Sequence, residues 1–464
     1  MQAISAFKTK FIGDRKFYSR LIAITVPLMV QNMITNFVSL LDNIMVGRVG
    51  TEEMTGVAIV NQLLFVYYLA IFGGLAGAGI FTAQFYGKGD DEGIRNTFRF
   101  KVWMGAFITA VAIIVFLTNG EQLIHLYLNE ETSAGDVGVA LSQGLSYMKI
   151  IMIGLPAFFM IQVYAGTMRE CGKTVAPMVA GIVSVLTNLV LDTLLIFGIG
   201  PFPEMGVVGA AIATVIARYV EVAIVVIWCH LHSEQLAFVK GLYRTLLIPR
   251  GLLKAITIKG SPLLINEFLW SLGMATVTQC YSIRGMEVIA AINIQNTISN
   301  VVNVMVFAMG DAVAIIVGQY LGADRMKEAK DADNKIIFSS VILGIGTMFI
   351  LFILAVVFPQ AYNTTDEVRS LARWFITVQA IFVPQMAILH TCYFTLRSGG
   401  KTWLTFVFDS VFIWVIYIPC VFSLCHFTGL NVILIFAIIN LIEIIKVIFG
   451  LVLVHKNIWM VNIT

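Results

Sequence analysis

Long runs of apolar residues recur along the whole chain, and they constrain its fold more than any other feature of the sequence. Each run has at least 18 residues with few charges, which is long enough to cross a hydrocarbon core of about 30 Å as a helix. Only 12% of the 464 residues are charged, against roughly 25% in soluble domains. The sequence therefore predicts an all-α polytopic membrane protein. It excludes a soluble enzyme, a nucleic-acid-binding protein and a disordered chain.

Charged, Gly-rich and Pro-rich breaks divide the chain into twelve apolar segments. Several exceed the roughly 20 residues that one crossing needs, so we expect tilted helices that project beyond the bilayer. The predicted transmembrane helices cover residues 17–46, 54–87, 98–118, 137–168, 175–199, 206–231, 252–283, 288–321, 336–358, 368–396, 402–425 and 430–454.

The positions of the basic residues predict the orientation. Most of the 30 Lys and Arg residues fall at the two ends of the chain and in alternate loops. The opposite loops contain only Arg48, Arg284, Arg369 and Arg373. Because basic residues are enriched on the cytoplasmic side of membrane proteins, we expect both termini in the cytoplasm.

The chain also contains an internal repeat. A shift of 235 positions aligns the first three spans with spans seven to nine, and a shift of 228 aligns later residues. The aligned pairs include Pro27 with Pro262, Gln84 with Gln319, Gly87 with Gly322, Pro156 with Pro384, Thr167 with Thr395 and Arg169 with Arg397.

The repeat predicts the domain organisation. Six spans are an even number, so both halves start on the same side and are parallel repeats about an axis along the membrane normal. We therefore predict two six-helix bundles related by a parallel pseudo-two-fold axis. The expected parts are an N-terminal lobe at 1–232, a cytoplasmic connector at 233–251 and a C-terminal lobe at 252–464.

Ionisable residues inside the predicted spans are the candidate functional groups, because they are costly in hydrocarbon and usually face a cavity or a partner. Arg218 with Glu221, and Glu443 with Lys446, have the i, i+3 spacing of same-face neighbours and could equally be packing pairs. The full set is Asp42, Lys149, Asp192, Arg218, Glu221, Glu267, Asp311, Asp409, Glu443 and Lys446.

Three of these residues and two polar neighbours lie at a similar predicted depth. Asp42, Tyr147, Lys149 and Asp192 each lie 19 to 22 residues from the nearest basic marker of the cytoplasmic end, and Asn188 is one turn below Asp192. At 1.5 Å per residue, the four positions form one layer about 28–33 Å above that end. The layer lies in the outer half of the first bundle.

Two carboxylates in one low-dielectric layer cannot both ionise cheaply. The layer therefore suits reversible proton uptake or capture of a monovalent cation, while a static network in which Lys149 neutralises one Asp is the alternative. The second half does not copy it, since Asp42 aligns with Val277. Glu267 and Asp409, each 8 residues from a basic residue near the cytoplasm, are secondary candidates.

Other motifs in the sequence do not predict a binding or catalytic site. Two Gly-Lys-Thr triplets lack the first glycine of a phosphate-binding loop, so ATP binding is not expected. Cys229, His230 and His232 lack a further cluster of metal ligands, so no metal site is expected. The sequence has no nucleophile–base constellation and no HExxH motif. We therefore expect that the protein is not an enzyme.

Residues 27–50, 83–87, 188–192 and 206–211, in this order and spacing, resemble the multidrug and toxic compound extrusion (MATE) family. The resemblance covers nearly the whole chain, including the duplication. It implies a bacterial inner (plasma) membrane protein that exports cationic amphipathic drugs or toxic cations by antiport against H⁺ or Na⁺, with alternating access between two lobes. It implies no cofactor besides the coupling ion, contacts with membrane lipid, no nucleic-acid partner and a monomer.

The resemblance also implies site residues. Asp42, Tyr147, Asn188 and Asp192 are similar to the first-lobe cation site of the DinF-like branch, and Pro27 to its helix kink. The NorM-like branch uses second-lobe acids, including a seventh-span Glu that would align with Trp270. Glu267 is one turn away, so that alternative stays open. A flippase for a lipid-linked oligosaccharide precursor is the other alternative, favoured only if Lys149 and Arg218 face the cleft.

Overall fold

The computed structural model describes residues 10–47, 49–128 and 137–464, without the side chains of residues 38–44, 47 and 51. Within these ranges, twelve long helices follow one another through short connections. They are α1 (Arg15–Gly47), α2 (Thr51–Lys88), α3 (Asp91–His125), α4 (Val137–Glu170), α5 (Val175–Ile196), α6 (Gly206–Leu231), α7 (Arg250–Ser282), α8 (Met286–Gly322), α9 (Met326–Val357), α10 (Asp366–Ser398), α11 (Thr402–Phe427) and α12 (Val432–His455).

The predicted all-α, polytopic class is confirmed. Eleven of these described helices are long and apolar enough to cross a membrane. The exception is α7, which carries Arg250, Lys254 and Lys259 in its first turns and Glu267 further along. These charged residues lower the hydropathy of a helix that still has 33 residues.

Two predicted helix starts are too late. Helix α3 begins at Asp91 rather than near residue 98, and α9 begins at Met326 rather than near residue 336. Both extensions are charged turns, in which ion pairs such as Arg95 Nη1 to Glu92 Oε2 at 2.6 Å join neighbours three residues apart. An apolar run marks the membrane-spanning part of a helix and does not register the polar turns that precede it.

Helix α11 departs from regular α-helical geometry. Residues Val407–Val411 and Ile413–Tyr417 form π-helical turns between α-helical ends. Such turns are rare and occur frequently at functional sites, because they change the angular positions of the residues that follow. Asp409 lies in the first of them.

The described residues form two compact units. The first unit comprises Val30–Thr82 and Asp91–Ile256; the second comprises the described part of Met1–Met29, Ala83–Asp90 and Thr257–Thr464. Each unit groups residues that pack together in space, and its boundaries differ from those of the sequence repeat. The lobe boundaries 1–232, 233–251 and 252–464 therefore stay a prediction.

In the first unit, one face of α3 holds the segment between α6 and α7. Arg95 Nε, Arg99 Nε and Trp103 Nε1 donate to the carbonyl oxygens of Phe238, Leu242 and Leu246 at 3.1, 3.2 and 3.1 Å. Donors and acceptors both recur every four residues, so the segment runs along the helix. The bonds satisfy backbone carbonyls that no regular secondary structure would pair.

In the second unit, the ends of α2 and α8 cross at equivalent positions of the repeat. A Cβ atom built on Gly87 would overlap the backbone of Gln319, and one built on Gly322 would overlap the backbone of Gln84. The equivalent residues of the two repeats therefore meet each other, and both glycines are needed for the close approach of the backbones.

The C-terminal segment lies on this crossing. Gln84 Nε2 donates to the carbonyl oxygens of Ser398 and Val461 at 2.9 and 3.2 Å, and Gln84 Oε1 accepts from the amide of Ile463 at 2.8 Å. Trp459, which is 1% exposed, anchors the segment in the core of the second unit. A single buried side chain thus binds both the end of α10 and the C-terminal segment.

Candidate functional site

Three of the predicted cation-site residues lie buried in the first unit. Tyr147 on α4 is 7% exposed, while Asn188 and Asp192 on α5 are 6% and 1% exposed. The side chain of Asp42 lies outside the described residues. Helix α5 is otherwise strongly apolar, so a carboxyl group as buried as Asp192 is costly there, which keeps it a candidate functional group.

Hydrogen bonds connect these residues to neighbouring helices. The Tyr147 hydroxyl donates to Asn61 Oδ1 on α2 at 3.4 Å, and Asn188 Nδ2 donates to Thr214 Oγ1 on α6 at 3.5 Å. Both contacts are long for hydrogen bonds of their kind.

Arg218 and Lys149, the two basic residues within the predicted spans of the first half, lie in different surroundings. Arg218 Nη1 forms an ion pair with Glu221 Oε2 at 3.1 Å, as the i, i+3 spacing predicted, and its guanidinium lies 5.7 Å from the centre of the Phe158 ring. Lys149 is exposed. The structure therefore does not bury Lys149 beside the Tyr147–Asp192 layer.

Helix α1 is continuous past Pro27, which lies inside it. A proline in this position removes one backbone hydrogen bond and favours a bend. The role of Pro27 as a functional kink stays a prediction.

A second polar cluster lies in the second unit, where α7, α11 and α12 meet. Lys446 Nζ lies 2.6 Å from Asp409 Oδ1, and Asn266 Nδ2 donates to Asp409 Oδ2 at 3.1 Å. The hydroxyl of Ser410 donates to Asn266 Oδ1 at 2.7 Å. Both oxygens of the Asp409 carboxylate are therefore engaged, one by a charge and one by an amide.

Further charged groups surround this cluster. Glu267 lies within electrostatic range of Arg397 and Asp409. Glu443 lies within electrostatic range of Lys446 and Asp409. The ring of His390 lies close enough to feel both members of the Asp409–Lys446 pair, and its Nδ1 is 3.1 Å from the carbonyl oxygen of Met386. The secondary candidates Glu267 and Asp409 thus belong to one electrostatic network.

The i, i+3 spacing made Glu443 and Lys446 plausible neighbours on one helix face, but the ion pair of Lys446 is with a different residue. In the structure Lys446 is 6% exposed and its ion pair is with Asp409. Sequence reasoning also missed Asn266, which is uncharged and gives no signal except its place in an apolar run. The equal 8-residue distances of positions 267 and 409 from basic residues already indicated a common depth.

The residues weighed as a metal site have other contacts. His230 Nδ1 and His232 Nδ1 lie 2.9 and 3.0 Å from the carbonyl oxygens of Val226 and Trp228, one turn earlier on the same helix. Cys229 is buried. Each histidine ring is thus turned toward its own backbone.

Comparison with known proteins places this architecture in a family. The MatE family model matches residues 27–194 and 262–423, one segment in each half of the repeat. A probable multidrug resistance protein NorM of Thermotoga maritima is 24% identical over 411 residues, covering 89% of this chain and 86% of that protein. A probable multidrug resistance protein YoeA of Bacillus subtilis is 23% identical over 418 residues, covering 88% and 87%.

Solved structures show the same fold. A variant of the Vibrio cholerae MATE transporter VcmN superimposes with a TM-score of 0.82 at 18% identity, covering 95% of this chain and 97% of that one. An outward-facing MATE family transporter of the MOP superfamily has a TM-score of 0.79 at 18% identity, covering 94% and 96%. The family model, which spans most of both halves, and the shared helical fold lead to one conclusion: this chain belongs to the MATE family and is a multi-pass membrane transporter rather than an enzyme.

Proposed function

We propose that the protein is a secondary active exporter of cationic amphipathic compounds, driven by antiport against H⁺ or Na⁺ with alternating access. The observation that carries the proposal is the burial of Asp192 in an apolar helix, one turn from Asn188. A carboxyl group in such a place is stable when it takes up a proton or a cation, and unstable as a bare anion. Efflux driven by an ion gradient requires a group that alternates between these forms.

Asp42, Asp192, Asn188 and Tyr147 form the proposed coupling site. This set follows the DinF-like branch, although two relatives that match the chain bear the names NorM and YoeA. The second-unit residues Glu267 and Asp409 are the NorM-like alternative. The Asp409 carboxylate already forms an ion pair with the Lys446 ammonium. This occupancy favours the residues of the first half as the site of an exchangeable ion.

The proposed substrates are cations, and one contact argues against the flippase alternative. An anionic lipid-linked precursor needs uncompensated positive charge along its path. Arg218, one of the two basic residues that could supply it, is paired with Glu221. Polyspecific pockets for cations instead combine few carboxylates with many apolar contacts.

Transport in inverted membrane vesicles tests this proposal. An imposed ΔpH or ΔpNa should drive uptake of a cationic dye such as ethidium into the vesicles, and only the gradient of the coupling ion should be effective. Translocation of an anionic lipid-linked sugar without any gradient-driven dye transport would instead support the flippase.

The proposed location is the bacterial plasma (inner) membrane, with both termini in the cytoplasm. The support is the excess of Lys and Arg at one end of the helices, which orients a membrane protein during insertion. We further propose that the protein acts as a monomer, without a cofactor other than the coupling ion.

A further inference from the structure

The ammonium group of Lys446 is enclosed in the way that proteins bind an organic cation. It lies 2.6 Å from an oxygen of Asp409 and 5.5 and 5.7 Å from the ring centres of Phe408 and Phe412. A carboxylate combined with aromatic faces is a common binding environment for ammonium ligands. A side chain of the protein itself therefore occupies a cation site.

Stability alone is a weak explanation for this pair. Taking two charges out of water costs about as much free energy as their attraction returns, and apolar replacements of buried pairs are often neutral or stabilising. The pair is also not completely sealed, since the Asp409 side chain is 17% exposed against 6% for Lys446. The carboxylate is thus the more accessible member.

The surroundings of the pair favour a cation even without Lys446. Two further acidic residues, Glu267 and Glu443, lie within electrostatic range of Asp409. The Asn266 amide holds the second oxygen of Asp409 and keeps the carboxylate in place. If the Lys446 ammonium is absent, the Asp409 carboxylate and the ring faces of Phe408 and Phe412 remain available to a positive ligand.

We propose that Lys446 is a tethered competitor in an organic-cation site formed by Asp409, Asn266, Phe408 and Phe412. A cationic substrate that uses this carboxylate must first displace the ammonium, so Lys446 lowers the affinity for cations and makes release possible. The inference rests on the proposed export of cationic compounds. It adds a residue that sets affinity and is independent of which ion drives transport.

Equilibrium binding of ethidium to the full-length protein in detergent tests this role. Lys446→Ala should bind ethidium about tenfold more tightly than wild type, because the dye no longer competes with a resident charge for a charge-assisted contact. Propylammonium, which has the size of the removed side chain, should compete with ethidium in Lys446→Ala. Lys335→Ala removes a peripheral ion pair with Asp331 and should bind as wild type.

The double variant Lys446→Ala/Asp409→Asn assigns the effect to the carboxylate. It should lose both the tighter binding and the competition by propylammonium. If Lys446→Ala does not fold, Lys446→Gln removes the charge, keeps a donor to Asp409 and should change affinity in the same direction. Equal ethidium affinity in wild type and the Lys446 variant, or tight binding that persists in the double variant, would overturn the proposal. The binding assay needs no gradient, so failure of ion-coupled efflux would appear separately, as loss of vesicle transport.

Discussion

Gly87 packs so closely on the carbonyl group of Gln319 that no other residue fits at its position without a shift of the backbone. The repeat places the same relationship at Gly322 and Gln84. Two symmetry-equivalent glycines therefore fix the contact between the ends of α2 and α8 in the second unit.

Gly87→Ala should destabilise the protein by about 1–3 kcal/mol, the usual cost of overpacking a tight contact. Thermal unfolding in detergent measures this change. Gly346→Ala on α9 is the matched control, because a Cβ atom there meets nothing within 4 Å and alanine is the better helix former. Equal melting temperatures for the two variants would show that the α2–α8 contact tolerates a Cβ atom.

Gln84→Leu should release the C-terminal segment. The substitution keeps the approximate size of the side chain but removes the acceptor for the Ile463 amide and the donor to Val461. Hydrogen exchange at Val461–Thr464 should become much faster, while α8 stays protected. Gln235→Leu, which removes the acceptor for Lys173, should leave that exchange unchanged. Unaltered protection of Ile463 in Gln84→Leu would mean that other contacts hold the segment.

The buried ion pair of Lys101 with Glu170 should be sensitive to the loss of one partner. Lys101 is 1% exposed and also donates to Thr167 Oγ1 at 3.1 Å. Lys101→Met leaves Glu170 without its cation and should cost about 3 kcal/mol of unfolding free energy. Lys101→Met/Glu170→Met should recover part of this loss in a double-mutant cycle. Additive destabilisation by the two substitutions would contradict a direct coupling.

Cysteine labelling tests the proposed orientation. Single cysteines at positions 130 and 364 should react with an impermeant maleimide from outside, and cysteines at positions 90 and 328 only after permeabilisation. Of the native cysteines only Cys420 is partly exposed; the other five are buried, so Cys420→Ser gives a quiet background. Labelling with the opposite accessibility would reverse the topology.

The helices could be predicted because the length of an apolar run can be read directly from the sequence. Counting residues from the basic cytoplasmic ends likewise predicted a common depth for Tyr147 and Asp192. The Asp409–Lys446 pair could not be predicted. Its members are 37 residues apart on different helices, and the i, i+3 rule favours Glu443 for Lys446. The π-helical turn at Asp409 also changes the direction of side chains along α11, and apolar periodicity does not reveal such a turn.

The same limit applies to the C-terminal segment and to Gln84. The repeat marks Gln84 and Gln319 as equivalent, yet their surroundings differ. Arg20 Nη2 donates to Gln319 Oε1 at 2.7 Å, while Gln84 binds the C-terminal segment. Duplication preserves residue identity, and the segments that have no counterpart in the other repeat decide which partners each copy meets.

The most direct test of the account compares carboxyl groups of the two halves in ion-driven transport. Asp42→Asn, Asp192→Asn and Glu267→Gln are measured at matched expression for ethidium transport under an imposed ΔpH or ΔpNa. Asp409→Asn is a poorer comparison, because it leaves Lys446 buried without its carboxylate. Neutralising Asp42 or Asp192 should abolish gradient-driven transport while the protein stays folded, and Glu267→Gln should retain it. Intact coupling in both first-half variants with loss in Glu267→Gln would contradict the account and assign the coupling site to the second half.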